Sequence, residues 1–136
     1  METEMKKRKK GLSLEECIKR ADKYIAEQGL CVLAMDVKNS GKYLREDANA
    51  YTDKLRGMVR DLNHAFALYL PTNKIVNGAE EKGFKIVRGD QVIGAIDSVE
   101  AIRKIHDYQV EHYPELPLYW GVAKDGWDEK GFRSVD

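Results

Sequence analysis

The segment LCVLAMDV (residues 30–37) decides the fold, because it is nearly unbroken apolar sequence with one carboxylate, Asp36, near its end. A strand that is buried on both faces of a sheet shows such a run, whereas a half-buried strand alternates apolar and polar residues. We therefore predict a central strand over residues 30–37, which carries Asp36 to one end of the sheet.

Two amphipathic helices are predicted beside this strand. Ser13 and Glu16 form a capping box, and apolar residues then recur at helical spacing until Gly29. After the strand, apolar residues trace one face of a long helix from about residue 45 to residue 69. The central strand is therefore preceded by an extra N-terminal helix and followed by a longer one.

A tight hairpin is predicted after a loop over residues 71–83. FKIVR (84–88) and QVIGAI (91–96) have the composition of strands, and only Gly89 and Asp90 lie between them. The first of these strands alternates apolar and charged residues, which is typical of an edge strand. Asp90 is therefore expected at the tip of the hairpin.

A second crossover is predicted after the hairpin. Asp97 or Ser98 can cap a helix that Pro114 stops, and LYWGVA (118–123) is the last strand. The order after the first helix is therefore βαββαβ, which is the ferredoxin-like arrangement. The predicted fold class is α+β: a palm-like domain whose four-stranded antiparallel sheet carries its long helices on one face.

The predicted topology brings two aspartates together. Right-handed crossovers give the spatial strand order fourth, first, third, second, so that Asp36 and the hairpin turn with Asp90 reach the same end of neighbouring strands. These strands lie about 4.8 Å apart, and magnesium is usually held by one or two carboxylates together with phosphate and water oxygens. The alternative is that both aspartates are ordinary turn residues, a common role for Asp after Gly.

Size and charge limit the function classes. With 136 residues, 43% of them hydrophobic, the chain is long enough for one domain, and we assign residues 13–136 to it and residues 1–12 to a basic flexible tail. Lys plus Arg and Asp plus Glu both number 23, so no net field attracts nucleic acid or an anionic membrane. We therefore expect neither of them as a partner.

Cysteines and histidines indicate no further metal site. Cys17 and Cys31 lack zinc-site spacing, and no apolar run approaches the roughly 20 residues that a bilayer requires. The histidines, His64, His106 and His112, lack the four-residue spacing of a helical metal pair, and we interpret them as surface or helix-packing residues. Two unpaired thiols predict a reduced, cytoplasmic location.

Three motifs carry a family resemblance. LAMDVKNS (33–40), KIVRGDQVIGA (85–95) and LYWGVAKDG (118–126) resemble, in order and spacing, the catalytic core of class III nucleotidyl cyclases and the related GGDEF diguanylate cyclases. DVKNSGK (36–42) with RGDQVIGA also resembles SatD-like proteins. The GTP cyclohydrolase III type is similar as well, since it has a palm-like domain and a helix that ends in Tyr-Pro.

The resemblance implies a metal and a nucleotide. Asp36, Asp90 and the carbonyl of Val37 would coordinate Mg²⁺ or Mn²⁺, with the two aspartates as the catalytic residues, and ATP or GTP would be the ligand. The backbone amides that would approach the triphosphate belong to the turn formed by Lys38, Asn39, Ser40, Gly41 and Lys42. Gly89 matches the glycine of the hairpin motif. Because sites in these families form between two palms, a homodimer is expected.

Arg88 and Gln91 are departures from the GGDEF pattern. Arg88 replaces a glycine and Gln91 an acidic residue, so diguanylate cyclisation is not expected. We predict that Arg88 contacts phosphate, with a solvated edge-strand charge as the alternative. Ile86 stands where class III cyclases have a purine-selecting lysine, and Lys85 is one residue off and would face the other side of the sheet. The choice of base is therefore open.

Three functions remain open at this point. The first is a metal-dependent nucleotide enzyme, either a nucleotidyl cyclase or transferase, or a hydrolase acting on ATP or GTP. The second is a degenerate palm that senses a nucleotide without turning it over, which Gln91 favours. The third is a ferredoxin-like regulatory or oligomerisation module in which both aspartates are turn residues.

Overall fold

The computed structural model describes residues 11–73, 81–87 and 91–124. Residues 88–90, which include Arg88, Gly89 and Asp90, lie outside this range, as does most of the segment assigned to the basic tail. The elements are α1 (Leu14–Gln28), β1 (Cys31–Val37), α2 (Ser40–Ala65), a 3₁₀ turn (Ala67–Tyr69), β2 (Thr72–Asn73), β3 (Glu81–Lys82), β4 (Lys85–Val87), β5 (Gln91–Ile96), α3 (Val99–His112) and β6 (Leu118–Ala123).

The main sheet has the strand order β4-β5-β1-β6, and all its neighbours are antiparallel. This confirms the predicted ferredoxin-like order, with β1 at the centre and β4 at an edge. β5 and β6 have the predicted bounds, and β1 begins one residue later than predicted. No helix of the described chain is long and apolar enough to cross a membrane.

Helix α1 begins and ends as its sequence predicts. Ser13 N donates to Glu16 Oε1 at 3.0 Å, and Glu16 N donates to Ser13 Oγ at 3.2 Å, which completes the capping box. Gly29 ends the helix in the left-handed conformation, with φ of 90°, and its N–H donates to the carbonyl of Ile25.

Helix α2 differs from its prediction. It starts at Ser40 rather than near residue 45 and is broken at Asp47, whose backbone is extended (φ −161°, ψ 89°). Asp47 Oδ1 accepts a hydrogen bond from Ala50 N at 3.0 Å, so this residue caps the second, longer segment. The helix ends at Ala65, and the predicted last turn is the separate 3₁₀ turn.

The main core lies between one face of the sheet and the three helices. Its members include Cys17, Ala21 and Tyr24 of α1, Leu33 and Met35 of β1, Leu55, Met58 and Leu62 of α2, and Ile102 and Ile105 of α3. A smaller buried cluster lies on the other face, formed by Val32, Ala34, Ile93 and Ala123. Because strand residues alternate between faces, Asp36 belongs to the second face, with Val32 and Ala34.

Edge strand β4 is held by a side chain of α2. Asn63 Nδ2 donates to the carbonyl of Phe84 at 3.1 Å, and Phe84 N donates back to Asn63 Oδ1 at 2.6 Å. Gly83 precedes this contact in the left-handed conformation, with φ of 90°. A Cβ atom there would lie 2.7 Å from Asn63 Oδ1, so the close approach requires glycine.

Two further details differ from the sequence prediction. The loop of residues 71–83 contains the small antiparallel ladder of β2 and β3, which its composition did not predict. Ser98 occupies the N-cap position of α3, but its side chain makes no capping hydrogen bond to the described helix. Instead, the start of α3 is tied to the 3₁₀ turn, because Asp97 N donates to the carbonyl of Tyr69 at 3.1 Å.

Candidate functional site

Asp36 lies near the end of the central strand, in a row of side chains that crosses the sheet. Its register partners are Gln91 on β5 and Tyr119 on β6, and Val87 of β4 pairs with Gln91 in the same row. Asp36 is half-buried and its Oδ1 atom is buried, whereas Met35 is 1% exposed within the core on the opposite face. The central strand therefore presents Asp36 on the face away from the helices.

The predicted partner of Asp36, Asp90, lies outside the described residues, as do Arg88 and Gly89. The residues on both sides of this segment are described, and Val87 pairs with Gln91. Because Gln91 is also the register partner of Asp36, β4 ends and β5 begins at the end of the sheet where Asp36 lies. The pairing of the two aspartates remains a prediction.

The turn after β1 has a backbone shape suited to anions. Asn39 is the one described non-glycine residue with positive φ, at 57°, and helix α2 follows at once from Ser40. A left-handed residue next to helical residues forms a nest of N–H groups, and first-turn N–H groups lack partners within their helix. Lys42 N donates to the carbonyl of Asn39 at 3.0 Å, which closes the turn.

No acidic side chain lies in the first turn of α2, and the side chain of Asn39 does not cap it. An anion at this position would therefore meet the positive end of the helix without a competing carboxylate. Gly41 is not required by crowding, since an added Cβ would meet only the Arg45 guanidinium, at 3.4 Å. Because α2 starts at Ser40, the last three residues of the predicted turn, 40–42, belong to the first turn of this helix.

Two lysines lie on the same side of the sheet as Asp36. Lys38 Nζ is 5.0 Å from the ring centroid of Tyr119, and Lys38 N donates to the carbonyl of Pro117 at 2.9 Å. Lys85 pairs with Ile93 and therefore shares the face of Asp36, whereas Ile86 packs against the main core. The position that resembles the purine-selecting lysine is thus apolar and directed toward the helices.

Gln91 and Tyr119 are neighbours of Asp36 that the sequence did not single out as site residues. The Oε1 atom of Gln91 is buried and has no hydrogen-bond partner in the described chain. The alternation of residues in β5 and β6 indicates which side chains share a face of the sheet. Which of these side chains lies beside Asp36 is determined by the register against β1.

The oxygen donors of this region fit a hard divalent cation only when other ligands contribute. Among the described residues, no three His, Cys, Asp or Glu side chains group together as a metal site. Asp36 offers a carboxylate, and Val37, whose side chain is buried in the core, offers only its backbone carbonyl. Magnesium commonly takes one or two protein carboxylates and completes its shell with phosphate and water oxygens.

Comparisons with known proteins add no assignment: no family model, no curated protein and no solved structure matches this chain.

Proposed function

We propose that this chain is a nucleotide-binding palm domain that depends on a divalent metal, and that it is related to the nucleotidyl cyclases. Asp36, Asp90 and the carbonyl of Val37 would hold Mg²⁺ or Mn²⁺. The turn of residues 38–42 would bind the phosphates of ATP or GTP. The metal would neutralise phosphate charge and supply Lewis acidity to nucleotidyl cyclisation, transfer or hydrolysis.

The register of Asp36 against Gln91 is the observation that carries this proposal. Asp90 directly precedes Gln91 in the sequence, so their Cα atoms are about 3.8 Å apart. Directly opposed residues of an antiparallel pair have Cα atoms about 4.5 to 5.5 Å apart. We infer that Asp90, as the residue directly before Gln91 in the sequence, can share one cation with Asp36.

The turn after β1 supports the same proposal from the phosphate side. Its nest begins three residues after Asp36, so a metal held by that carboxylate would lie close to phosphate oxygens bound at Ser40 and Gly41. Lys42 is exposed and adds positive charge to the same turn. Arg88 would approach the phosphates from the hairpin.

Thermal denaturation with metal and nucleotide tests the proposal. We expect Mg²⁺ with GTP or ATP to raise the melting temperature, because a ligand that binds only the folded state stabilises that state. Either component alone should do little, since the metal is held by protein and phosphate oxygens together. At a ligand concentration of 100 times the Kd, the gain in unfolding free energy is about 2.7 kcal/mol. Asp36→Asn should abolish this gain and retain the fold, since the amide keeps the size of the side chain.

Asp22→Asn is the matched control, because Asp22 is an exposed carboxylate on α1. It should respond to Mg²⁺ and nucleotide as the original chain does. A stabilisation that survives in Asp36→Asn would contradict the assignment of the site. If no nucleotide stabilises the original chain in the presence of Mg²⁺ or Mn²⁺, the function proposed is wrong and a regulatory or oligomerisation module is favoured.

A nucleotide sensor without turnover is the second candidate, and Gln91 favours it. This neutral amide is the direct register partner of Asp36, at a position where the GGDEF proteins carry an acidic residue. Incubation with Mg²⁺ or Mn²⁺ and each nucleoside triphosphate, followed by chromatography of the nucleotides, separates the candidates. Metal-dependent binding with unchanged nucleotide identifies the sensor, whereas a new nucleotide product identifies the enzyme.

The proposal includes a homodimer, because one palm covers only one side of a nucleotide bound at the face of Asp36. Sedimentation at micromolar concentrations should give the mass of two chains, with GTP and Mg²⁺ favouring the dimer. A chain that remains monomeric with both ligands bound contradicts this part of the proposal.

A further inference from the structure

A second concave region lies at the opposite edge of the sheet from β4, beside the start of β6. We call it the β6 cleft. It has a volume of about 430 Å³, within the range of about 300 to 1,000 Å³ that is typical of small-molecule sites. Its walls come from Leu12 and Leu14, from Lys38, from residues of α3, from the connection between α3 and β6, and from the first residues of β6.

Among the described residues that line the β6 cleft, the basic groups are Lys38 and His106, and none is acidic. His106 Nδ1 lies 3.1 Å from Asp107 Oδ1 on the outside of α3, where the Asp107 side chain is 70% exposed. That contact uses one ring nitrogen, so Nε2 is the nitrogen that a ligand in the cleft would use. The charge of the cleft therefore complements an anion.

Apolar side chains form much of the remaining wall, among them Leu12, Leu14 and Val110. The Tyr119 ring lies beneath the ammonium group of Lys38, at 5.0 Å, and the Trp120 ring lies 5.5 Å from that of His106 at an angle of 50°. Tyr113 also lines the cleft, and its hydroxyl donates a hydrogen bond to Asp61 of α2, which fixes the orientation of its ring. An apolar wall of this kind can bury the apolar surface of a ligand ring.

We propose that the β6 cleft binds an aromatic carboxylate, with its ring against the apolar wall of the cleft and its carboxylate at the ammonium group of Lys38. A carboxylate on two fused rings fits within its volume of about 430 Å³. Lys38 can form this ion pair without leaving the Tyr119 ring, because an ammonium group has three donors. A neutral ring would lose the ion pair, and a cationic ring would be repelled.

The β6 cleft is distinct from the metal position proposed at Asp36, but it shares Lys38 with the turn proposed to bind phosphate. Asp36 and Gln91 do not line the β6 cleft, whereas Val110 and Trp120, which do, lie on the helix side of the molecule. Ligand binding in the cleft needs no metal and does not rest on the proposed function. The two sites adjoin at Lys38, whose side chain lines the cleft, and at Tyr119, which lines the cleft and is the register partner of Asp36.

Binding of 2-naphthoate is the test, with 2-naphthamide as the neutral analogue and 2-naphthylmethylammonium as the cationic one. Amide ¹H–¹⁵N shifts of the full chain give both the Kd and the location of each probe. We expect naphthoate to shift residues 118–120 and to bind more tightly than either analogue. Lys38→Met keeps the length of the side chain and should weaken naphthoate about tenfold while leaving naphthamide unchanged.

Two tryptophan substitutions on α3 locate the site. Val110 is 51% exposed and lines the cleft, so Val110→Trp should fill it and abolish naphthoate binding. Glu111→Trp is the matched control, since Glu111 is exposed on the same helix and does not line the cleft, and it should bind normally. Asp36→Asn should also leave naphthoate binding intact.

Three results would overturn the proposal. The first is that the three probes bind equally, and the second is that naphthoate binding is unaffected by Val110→Trp. The third is that Val110→Trp also removes the binding of nucleotide with Mg²⁺, which would make the cleft a part of the nucleotide site.

Discussion

The contact between Asn63 and the edge strand can be tested by a double-mutant cycle with Gly83. Asn63 makes two hydrogen bonds to the backbone of Phe84, a residue that is only 3% exposed. A partly buried N–H group left without a partner costs about 1 to 3 kcal/mol, and each lost hydrogen bond about 1 kcal/mol. We therefore expect Asn63→Ala to lower the unfolding free energy by about 2 to 4 kcal/mol.

Gly83→Ala should destabilise the chain by two separable effects. The left-handed conformation, with φ of 90°, costs about 1 to 2 kcal/mol for a residue with a Cβ atom. The new Cβ would also lie 2.7 Å from Asn63 Oδ1 and 3.0 Å from its Cγ. In the Asn63→Ala background the clash is absent, so only the conformational cost should remain, and the two substitutions should be non-additive by about 1 kcal/mol or more.

Urea unfolding followed by circular dichroism measures all four corners of the cycle. Asn63→Asp is a control that keeps the acceptor for Phe84 N but loses the donor to its carbonyl, and its stability should lie between those of the original chain and Asn63→Ala. Strict additivity of Gly83→Ala and Asn63→Ala, or a cost below about 0.5 kcal/mol for Asn63→Ala, would refute this account of how β4 is held.

Three other predictions concern a cap, a titration and the thiols. Asp47→Ala should lower the unfolding free energy by about 1 kcal/mol in urea titrations, because the N-cap bond to Ala50 is lost. Burial and a hydrogen bond to a carboxylate raise the pKa of Tyr113 from 10.0 to about 12, so stability should fall as pH rises from about 10 to about 12, and fall less in Tyr113→Phe. Burial raises the pKa of the Cys17 and Cys31 thiols to about 12, so a thiol-reactive disulfide at about pH 8 should label them only after unfolding.

The strand order follows from the sequence because the strands differ in apolar character. The unbroken apolar run of β1 and the alternation of β4 predict a central and an edge strand, and right-handed crossovers then leave one spatial order. The bounds of α1 are equally readable, because Ser13 and Gly29 are strong capping signals. These features depend on local sequence and simple chain topology.

The start of α2 could not be predicted in this way. Its first segment, residues 40–46, is largely polar and carries little helical periodicity. The left-handed conformation of Asn39 and the hydrogen bond from Lys38 N to Pro117 set its position, and the second of these is a contact between distant residues. Side-chain composition does not encode such a contact.

The neighbours of Asp36 and the β6 cleft were also unpredictable from sequence alone. Gln91 and Tyr119 flank Asp36 only because of the register of β1 against β5 and β6, and a shift of one residue would direct both to the other face. The cleft combines Lys38 with His106, which are far apart in the sequence. The sequence suggested Asp36 itself because a carboxylate ends an otherwise apolar strand.

Paramagnetic broadening by Mn²⁺ tests the central claim most directly. With GTP or ATP present, Mn²⁺ should first broaden the amide signals of Asp36, Val37 and Gln91. Cys31 and Ile96 pair at the opposite end of the same two strands, about 17 Å away, and should broaden only at higher Mn²⁺ concentration. Broadening that is centred elsewhere, or that is unchanged in Asp36→Asn, would contradict a metal-dependent nucleotide site at Asp36.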